Sequence, residues 1–243
     1  MNKLIKLFKL FKSVNFINGL RFGVAATTEH IPVLMSLNNV NTIIDIGANK
    51  GQFTLAARYV FSKSRIISFE PLIDPAETFR SLFKSDKNIF LYNSAIGPEK
   101  KTVPIHVSQR DDSLSILQIG IEQSAIFPGT EESHTEDVSV APLNHYVMFE
   151  NLVSPILLKI DVQGYELEVL KGCGDILAKF DYIYVECSFV ELYKKQVLVN
   201  EVIQYLINYS FKLDGIYNTF YDKKGIAVQG DFLFSKIRSI NYR

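Results

Sequence analysis

Short apolar runs alternate with longer segments of helical periodicity through most of this chain, and that alternation restricts its fold more than any other feature. TIIDI at residues 42–46 is followed by GQFTLAARYVFSK, SRIISF by DPAETFRSLFKS, and PILLKI by YELEVLKGCGDILAKF and then DYIYVECS. Strand and helix in this order build a mostly parallel α/β sheet with crossover helices on both faces. The second helix is expected to open with Asp74 as its cap and Pro75 at its first position. Residues 189–210 carry helical periodicity with a break near the middle, and residues 211–236 read as two strands around a turn. The pattern lapses from about 100 to 142. There KKTVPIHVS alternates like a strand, but the remainder is polar and marked by Pro and Gly. It reads as a loop-rich insert with some strand character, either a binding lid or a tolerated surface excursion. The chain accordingly divides into an amino-terminal helical extension, 1–39, and a domain, 40–243, that carries this insert.

Hydrophobic residues make up 47% of the 243, with 18 Phe and 12 Tyr, enough for a sizeable core. The 26 basic side chains balance 26 acidic ones, so no global field points to nucleic acid. The two cysteines, Cys173 and Cys187, are expected to be reduced thiols in a cytoplasmic protein. No apolar run reaches the roughly 18 residues that a membrane crossing takes. The first residues do not form a signal peptide, because lysines interrupt the apolar positions. NKLIKLFKLFKS instead places Leu4, Leu7, Phe8 and Phe11 on one helical face, with Lys3, Lys6, Lys9 and Lys12 elsewhere. Such a helix either packs its stripe on the domain or makes peripheral contact with an anionic surface, here the inner membrane surface, through residues 3–12.

The turn after the first strand, DIGANKGQ, is placed to bind a nucleotide-like ligand at a helix amino end. A dinucleotide fingerprint needs glycines at relative positions one, three and six. Here those positions hold Gly47, Asn49 and Gln52, and the second glycine is Gly51. Asn49 would crowd the place where a pyrophosphate touches bare backbone, so a nicotinamide dehydrogenase is disfavoured. No Gly-Lys-Ser/Thr follows, which excludes a P-loop. S-adenosylmethionine carries no phosphate, and its ends are cationic or zwitterionic. Asp45 at the strand end suits its ammonium group. Glu70, at the end of the second strand and 19 residues after Gly51, suits both ribose hydroxyls.

TIIDIGANKGQF, SFEP, NSAIG and above all LLKIDVQGYELEVLKG resemble the FkbM family of S-adenosylmethionine-dependent methyltransferases, over about residues 40–235. The resemblance implies a class I methyltransferase fold, Rossmann-like, with a seven-stranded, mostly parallel sheet whose last strand is antiparallel. It implies a cofactor site at Asp45, Gly47, Asn49, Gly51, Phe53, Glu70, Pro71, Ser94 and Ala95. It also implies O-methylation of a small-molecule or glycan hydroxyl, with Ser113 facing cofactor or substrate. Family members often carry Thr-Leu-Asp before the KID strand, whereas this chain reads APLNHYV, with Asn144 in the acid's place.

Chemistry is expected at the carboxyl end of the KID strand, where open parallel sheets bind ligands. Lys159 and Asp161 share one face of that strand, and Glu166 opens the next helix. Methyl transfer needs an aligned acceptor oxygen and a route for its proton. Asp161 is the candidate base or orienting group, with Lys159 and Glu166 in support. The structural alternative is a Lys159–Glu166 ion pair with Asp161 capping the helix. Glu186 either hydrogen-bonds near the acceptor or caps its strand. Of the four histidines, His134 in the insert is the candidate base to test. No spacing of His, Cys and acids marks a metal site, and no metal is expected to be required. Methylation of nitrogen or carboxyl on another small molecule, or a silent S-adenosylmethionine-binding module, would share the same cofactor residues.

Overall fold

A computed structural model describes residues 13–108 and 114–238; the basic stretch at 3–12 and Ser113 lie outside these. In chain order the strands are β1 (Thr42–Ile46), β2 (Arg65–Phe69), β3 (Ile89–Tyr92), β4 (Ala95–Ile96), β5 (Lys101–Ser108), β6 (Glu132–Ala141), β7 (Ile156–Ile160), β8 (Tyr182–Ser188), β9 (Phe211–Tyr221) and β10 (Ala227–Lys236). The helices are α1 (Val14–Arg21), α2 (Ile31–Ser36), α3 (Gln52–Val60), α4 (Ile73–Phe83), α5 (Ile121–Ile126), α6 (Glu166–Gly172) and α7 (Val199–Asn208).

Every residue of β1 and β7 is buried, as expected of central strands covered on both sides. They lie at the middle of a seven-stranded sheet of order β3-β2-β1-β7-β8-β10-β9. Its pairings are parallel except those of β10, which runs antiparallel between β8 and β9. This is the class I methyltransferase arrangement. Alternate residues feed two cores. Ile43, Leu157 and Leu233 meet α2 and α3 through Val33, Leu34, Phe53 and Ala57. Ile44, Leu158, Ile183 and Phe232 meet α6 and α7 through Val169, Leu170, Val202 and Leu206. Phe16, Val24 and Ala26 pack on Leu55 and Leu82, so the segment ahead of β1 closes one side of the sheet.

Register then places the chemistry. Asp45 pairs with Lys159, and Lys159 with Tyr184, so these three side chains share one face. Two residues further along lie Gly47, Asp161 and Glu186, with Asp231 opposite Glu186 on β10. The carboxyl edge of the sheet therefore carries a row of acids.

Four local expectations differ from the structure. The insert is more regular than a loop: β5 and β6 form an antiparallel ribbon, joined by β4 in a second sheet. The helix after β2 starts at Ile73, with Asp74 inside its first turn and Pro75 third, not first. Glu70 accepts the Leu72 amide (2.9 Å), and Asn93 Nδ2 donates to the carbonyls of Glu70, Pro71 and Leu72, which ends the preceding turn at Leu72. The helix after β7 stops at Gly172 and continues as a 3-10 run, because Gly174 turns the backbone to a φ of 51°. Residues 189–198 are not helical. The Gln196 side chain accepts the amides of Leu192 and Tyr193 and donates to Ser188 Oγ, which holds them as a loop.

Candidate active site

The turn after β1 is built by two glycines with different tasks. Gly47 has a φ of 79°, and a Cβ there would overlap the Asp161 carbonyl oxygen, so the β1 and β7 turns approach as only glycine permits. Gly51, with a φ of 97°, leads into α3, and a Cβ there would strike the rings of Phe83 and Phe79. It shapes the turn from the packed side and does not line the cavity. Asn49 holds the left-handed conformation (φ 46°) that asparagine tolerates, and its amide donates to Glu70 Oε2 at 2.9 Å.

Beyond this turn opens a cavity of about 490 Å³. Of the expected cofactor residues, Gly47, Asn49, Phe53, Glu70, Pro71, Ser94 and Ala95 line it. Glu70 takes one backbone amide on each carboxylate oxygen, from Leu72 and Asn49, and each oxygen has a second lone pair. Burial pushes its carboxyl up to about 7, against the pull of those two amides. Ser94 Oγ accepts from Tyr146 and donates to the Ser139 carbonyl (2.8 and 2.9 Å), tying the cavity wall to β6.

Asp45 is placed differently. It is fully buried beneath the cavity floor, accepts Thr54 Oγ1 at 2.8 Å, and lies 3.3 Å from Lys159 Nζ. Its charge holds a lysine; it does not itself line the cavity. Lys159 Nζ also donates to the Gly47 carbonyl (3.1 Å), lies 3.6 Å from Asp161 Oδ2 and sits 5.3 Å from the Phe53 ring centre. Burial works to lower its pKa, but Asp45 and then Asp161 outweigh it and leave the ammonium group firmly charged. Lys159 and Asp161 both line the cavity, and the Asp161 side chain is 39% exposed.

Glu166 lies behind the turn and does not line the cavity. Its Oε1 accepts the Gly164 amide at 2.7 Å, and burial raises its carboxyl to about 7. Neither structural alternative forms: Lys159 pairs with Asp45 and Asp161, and Tyr165, not Asp161, occupies the cap of α6. Glu186 sits beside the cavity rim. Gln163 Nε2 bridges Asp161 Oδ1 (2.9 Å) and Glu186 Oε2 (2.8 Å), and Tyr193 donates to Gln163 Oε1 (2.9 Å). Burial, then Asp161 and Asp231, raise the Glu186 carboxyl well above its ordinary range.

His134 is on exposed β6, 3.0 Å from Glu136, and does not line the cavity. Asn144 is exposed in a 3-10 turn, Leu143–His145. Among the described residues no cluster of three or more His, Cys, Asp or Glu side chains is placed to hold a metal ion. Several cavity residues carried no expectation. Gln163 stands inside DVQGYE, between two residues that did. Ser115, two residues past Ser113, is buried, lines the cavity and donates to the Gln163 carbonyl at 2.6 Å. His30 lines the cavity from just ahead of α2, and its partner Tyr184 is 154 residues away, beyond any local pattern.

The charge of the lining tests what the cavity suits. Among the described residues, Glu29, Glu70 and Asp161 line the cavity with one lysine, Lys159, which Asp45 and Asp161 already match. An acidic excess favours a ligand with sulfonium and ammonium groups and opposes a pyrophosphate.

The family described as Methyltransferase FkbM domain matches residues 45–213. The chain belongs to the FkbM methyltransferase family. Its family and fold imply S-adenosylmethionine as cofactor. Among relatives of this FkbM protein, 2-O-methyltransferase NoeI of Sinorhizobium fredii is 24% identical over 200 residues, covering 79% of this chain and 82% of that one. Methyltransferase 1 of Beauveria bassiana is 26% identical over 145 residues, covering 55% of this chain and 58% of that one. A Klebsiella pneumoniae structure solved as a candidate O-methyltransferase superimposes with a TM-score of 0.50 at 13% identity, over 96% of this chain and 90% of that one. At that identity it is a likeness of fold.

Proposed function

We propose that this FkbM protein methylates a hydroxyl of a saccharide or glycoconjugate with S-adenosylmethionine. One observation carries the reading: a single acid-lined cavity joins the glycine turn, Glu70 and the Lys159–Asp161 edge. The relative named as a 2-O-methyltransferase supports oxygen as the methylated atom. S-adenosylmethionine supplies an electrophilic methyl group on a sulfonium centre. Glu70 accepts from the ribose hydroxyls with the lone pairs its amide donors leave free. Phe53, Pro71, Ser94 and Ala95 wall the cofactor, and the Gly47–Asn49 turn approaches it with backbone. Asp161, the exposed acid of the edge, orients the acceptor hydroxyl. Lys159 fixes Asp161, and Asp45 fixes Lys159 from below.

Titration calorimetry tests the cofactor half. The wild type is expected to bind S-adenosylmethionine and not NAD. Glu70→Ala is expected to lose about 10- to 100-fold in affinity, the worth of hydrogen bonds to a charged acceptor. A folded wild type that binds no S-adenosylmethionine overturns the reading.

A further inference from the structure

His30 enters the site from outside the matched domain, and its surroundings form a relay. Its Nδ1 lies 3.0 Å from the Tyr184 hydroxyl, and that hydroxyl donates to Asp231 Oδ2 at 3.0 Å. A hydroxyl has one hydrogen. With that hydrogen given to Asp231, Tyr184 can only accept from His30, and Asp231 Oδ2, 3.5 Å from Nδ1, is a second acceptor. The one donor there, Asn218 Nδ2 at 3.3 Å, lies closer to Asp231, so the surroundings favour an imidazole proton on Nδ1. Asn218 Nδ2 donates to the same Asp231 oxygen at 2.8 Å and fixes the carboxylate. Tyr184 and Asp231 are buried behind the ring and do not line the cavity, whereas His30 does. Among the described residues Nε2 has no hydrogen-bond partner. The Phe53 ring meets the imidazole edge-on at 5.5 Å and sets its plane.

Resting on the methyltransferase reading, we propose that His30 is the proton acceptor for methyl transfer, held by Tyr184 and Asp231 as a positioning pair. The acceptor oxygen gains the methyl carbon, the pair of the broken S–C bond stays on sulfur, and the hydroxyl proton passes to His30 Nε2 and then to water. Asp231 faces the resulting imidazolium both through Tyr184 and directly, its Oδ2 lying 3.5 Å from Nδ1, the logic by which a buried carboxylate fixes a histidine's tautomer and then stabilises its charge. The other charged groups facing His30 are Glu29, Lys159 and Asp161. Burial lowers its pKa, with Asp231 opposing, so the free base is the resting form at neutral pH. Asp161 then orients the hydroxyl and need not take its proton. The relay joins the segment before β1 to β8, β9 and β10; His30, Asn218 and Asp231 all lie outside residues 45–213.

Two measurements test this. Nitrogen-15 NMR of the histidines, with the His30 signal identified by its loss in His30→Gln, is expected to show the Nδ1–H tautomer at neutral pH. A shift toward the Nε2–H tautomer is expected in Tyr184→Phe. An Nε2–H tautomer in the wild type overturns the proposal, whatever the acceptor. Transfer of labelled methyl to a panel of methyl glycosides is expected to fall at least about 100-fold in His30→Gln, with S-adenosylmethionine affinity within twofold of wild type. The wild-type rate should decline on the acid side of neutrality as Nε2 protonates, and the variant should lack that limb. A His30→Gln rate within twofold of wild type also overturns the proposal. If wild type methylates no glycoside, the saccharide reading fails and the tautomer alone decides the role of His30.

Discussion

Lys159→Met is expected to cost about 3–5 kcal/mol of stability, and Asp45→Asn added to it to restore most of the loss. Asp45 is fully buried, its Oδ2 is held by Thr54, and Lys159 is the cation beside its other oxygen, Oδ1, at 3.3 Å. Methionine leaves that carboxylate without its counter-charge inside the sheet. The chain must then keep a buried anion or protonate it, and both destabilise the fold. Asparagine keeps an oxygen for the Thr54 hydroxyl and removes the charge. The double variant therefore loses the hydrogen bond from Lys159 to the Gly47 carbonyl but not a buried ion's solvation. Urea denaturation of the wild type, both single variants and the double variant gives the coupling energy directly. Additive single losses would show that Asp45 and Lys159 act independently, and Asp161 alone would then account for the lysine. The restored double variant should fold but bind acceptor poorly, because Asp161 has lost the cation that fixes it.

How much of this was legible in the sequence follows from the range over which each constraint acts. TIIDI, ILLKI and YIYVE announce buried strands because every residue in them is apolar or paired, and that needs only local reading. Gly47, Asn49 and Glu70 were legible because a strand–turn–helix ligand site imposes its spacing within a few residues of each strand end. Asp45 is read from the sequence as a cofactor ligand, yet its side chain serves Lys159 from beneath the floor. The sequence shows an acid at a strand end; only pairing across β1 and β7 shows which way it points. KKTVPIHVS announces β5, but β6 is obscured because its first half faces solvent, so polar residues blur the alternation. His30 was illegible for another reason. Its partners come from β8, β9 and β10, and nothing near the polar residues TEH at 28–30 distinguishes a relay from a surface turn. His134 sits in a more suggestive acidic context, and folding places it on the exposed ribbon instead.

Stability of the apo protein should fall as pH rises from about 5 to 8, with Glu166→Gln removing its own share of the slope. Burial holds the Glu166 carboxyl at about 7 in the folded protein, against an ordinary value of 4.5. Between those values the folded chain binds a proton that the unfolded chain has released, so raising the pH favours unfolding. At about 1.4 kcal/mol for each pH unit, this one group costs about 3 kcal/mol by pH 8 and almost nothing below pH 4.5. Glu70, also raised to about 7 by burial, and Glu186 and Asp231, raised mainly by burial, add slopes of the same sign. His30 acts oppositely: its lowered pKa makes stability fall as pH drops through the ordinary histidine value of 6.5. Glutamine at 166 keeps an oxygen for the Gly164 amide and carries no charge to bury. The variant should thus gain about 3 kcal/mol over wild type at pH 8 and gain little at pH 5, in urea melts at the two pH values. An equal gain at both would mean that packing, not ionisation, separates the two proteins. A gain confined to high pH would identify Glu166 as a neutral carboxyl behind the DVQGYE turn, there to hold the Gly164 amide and fix the loop from which Gln163 reaches Asp161 and Glu186.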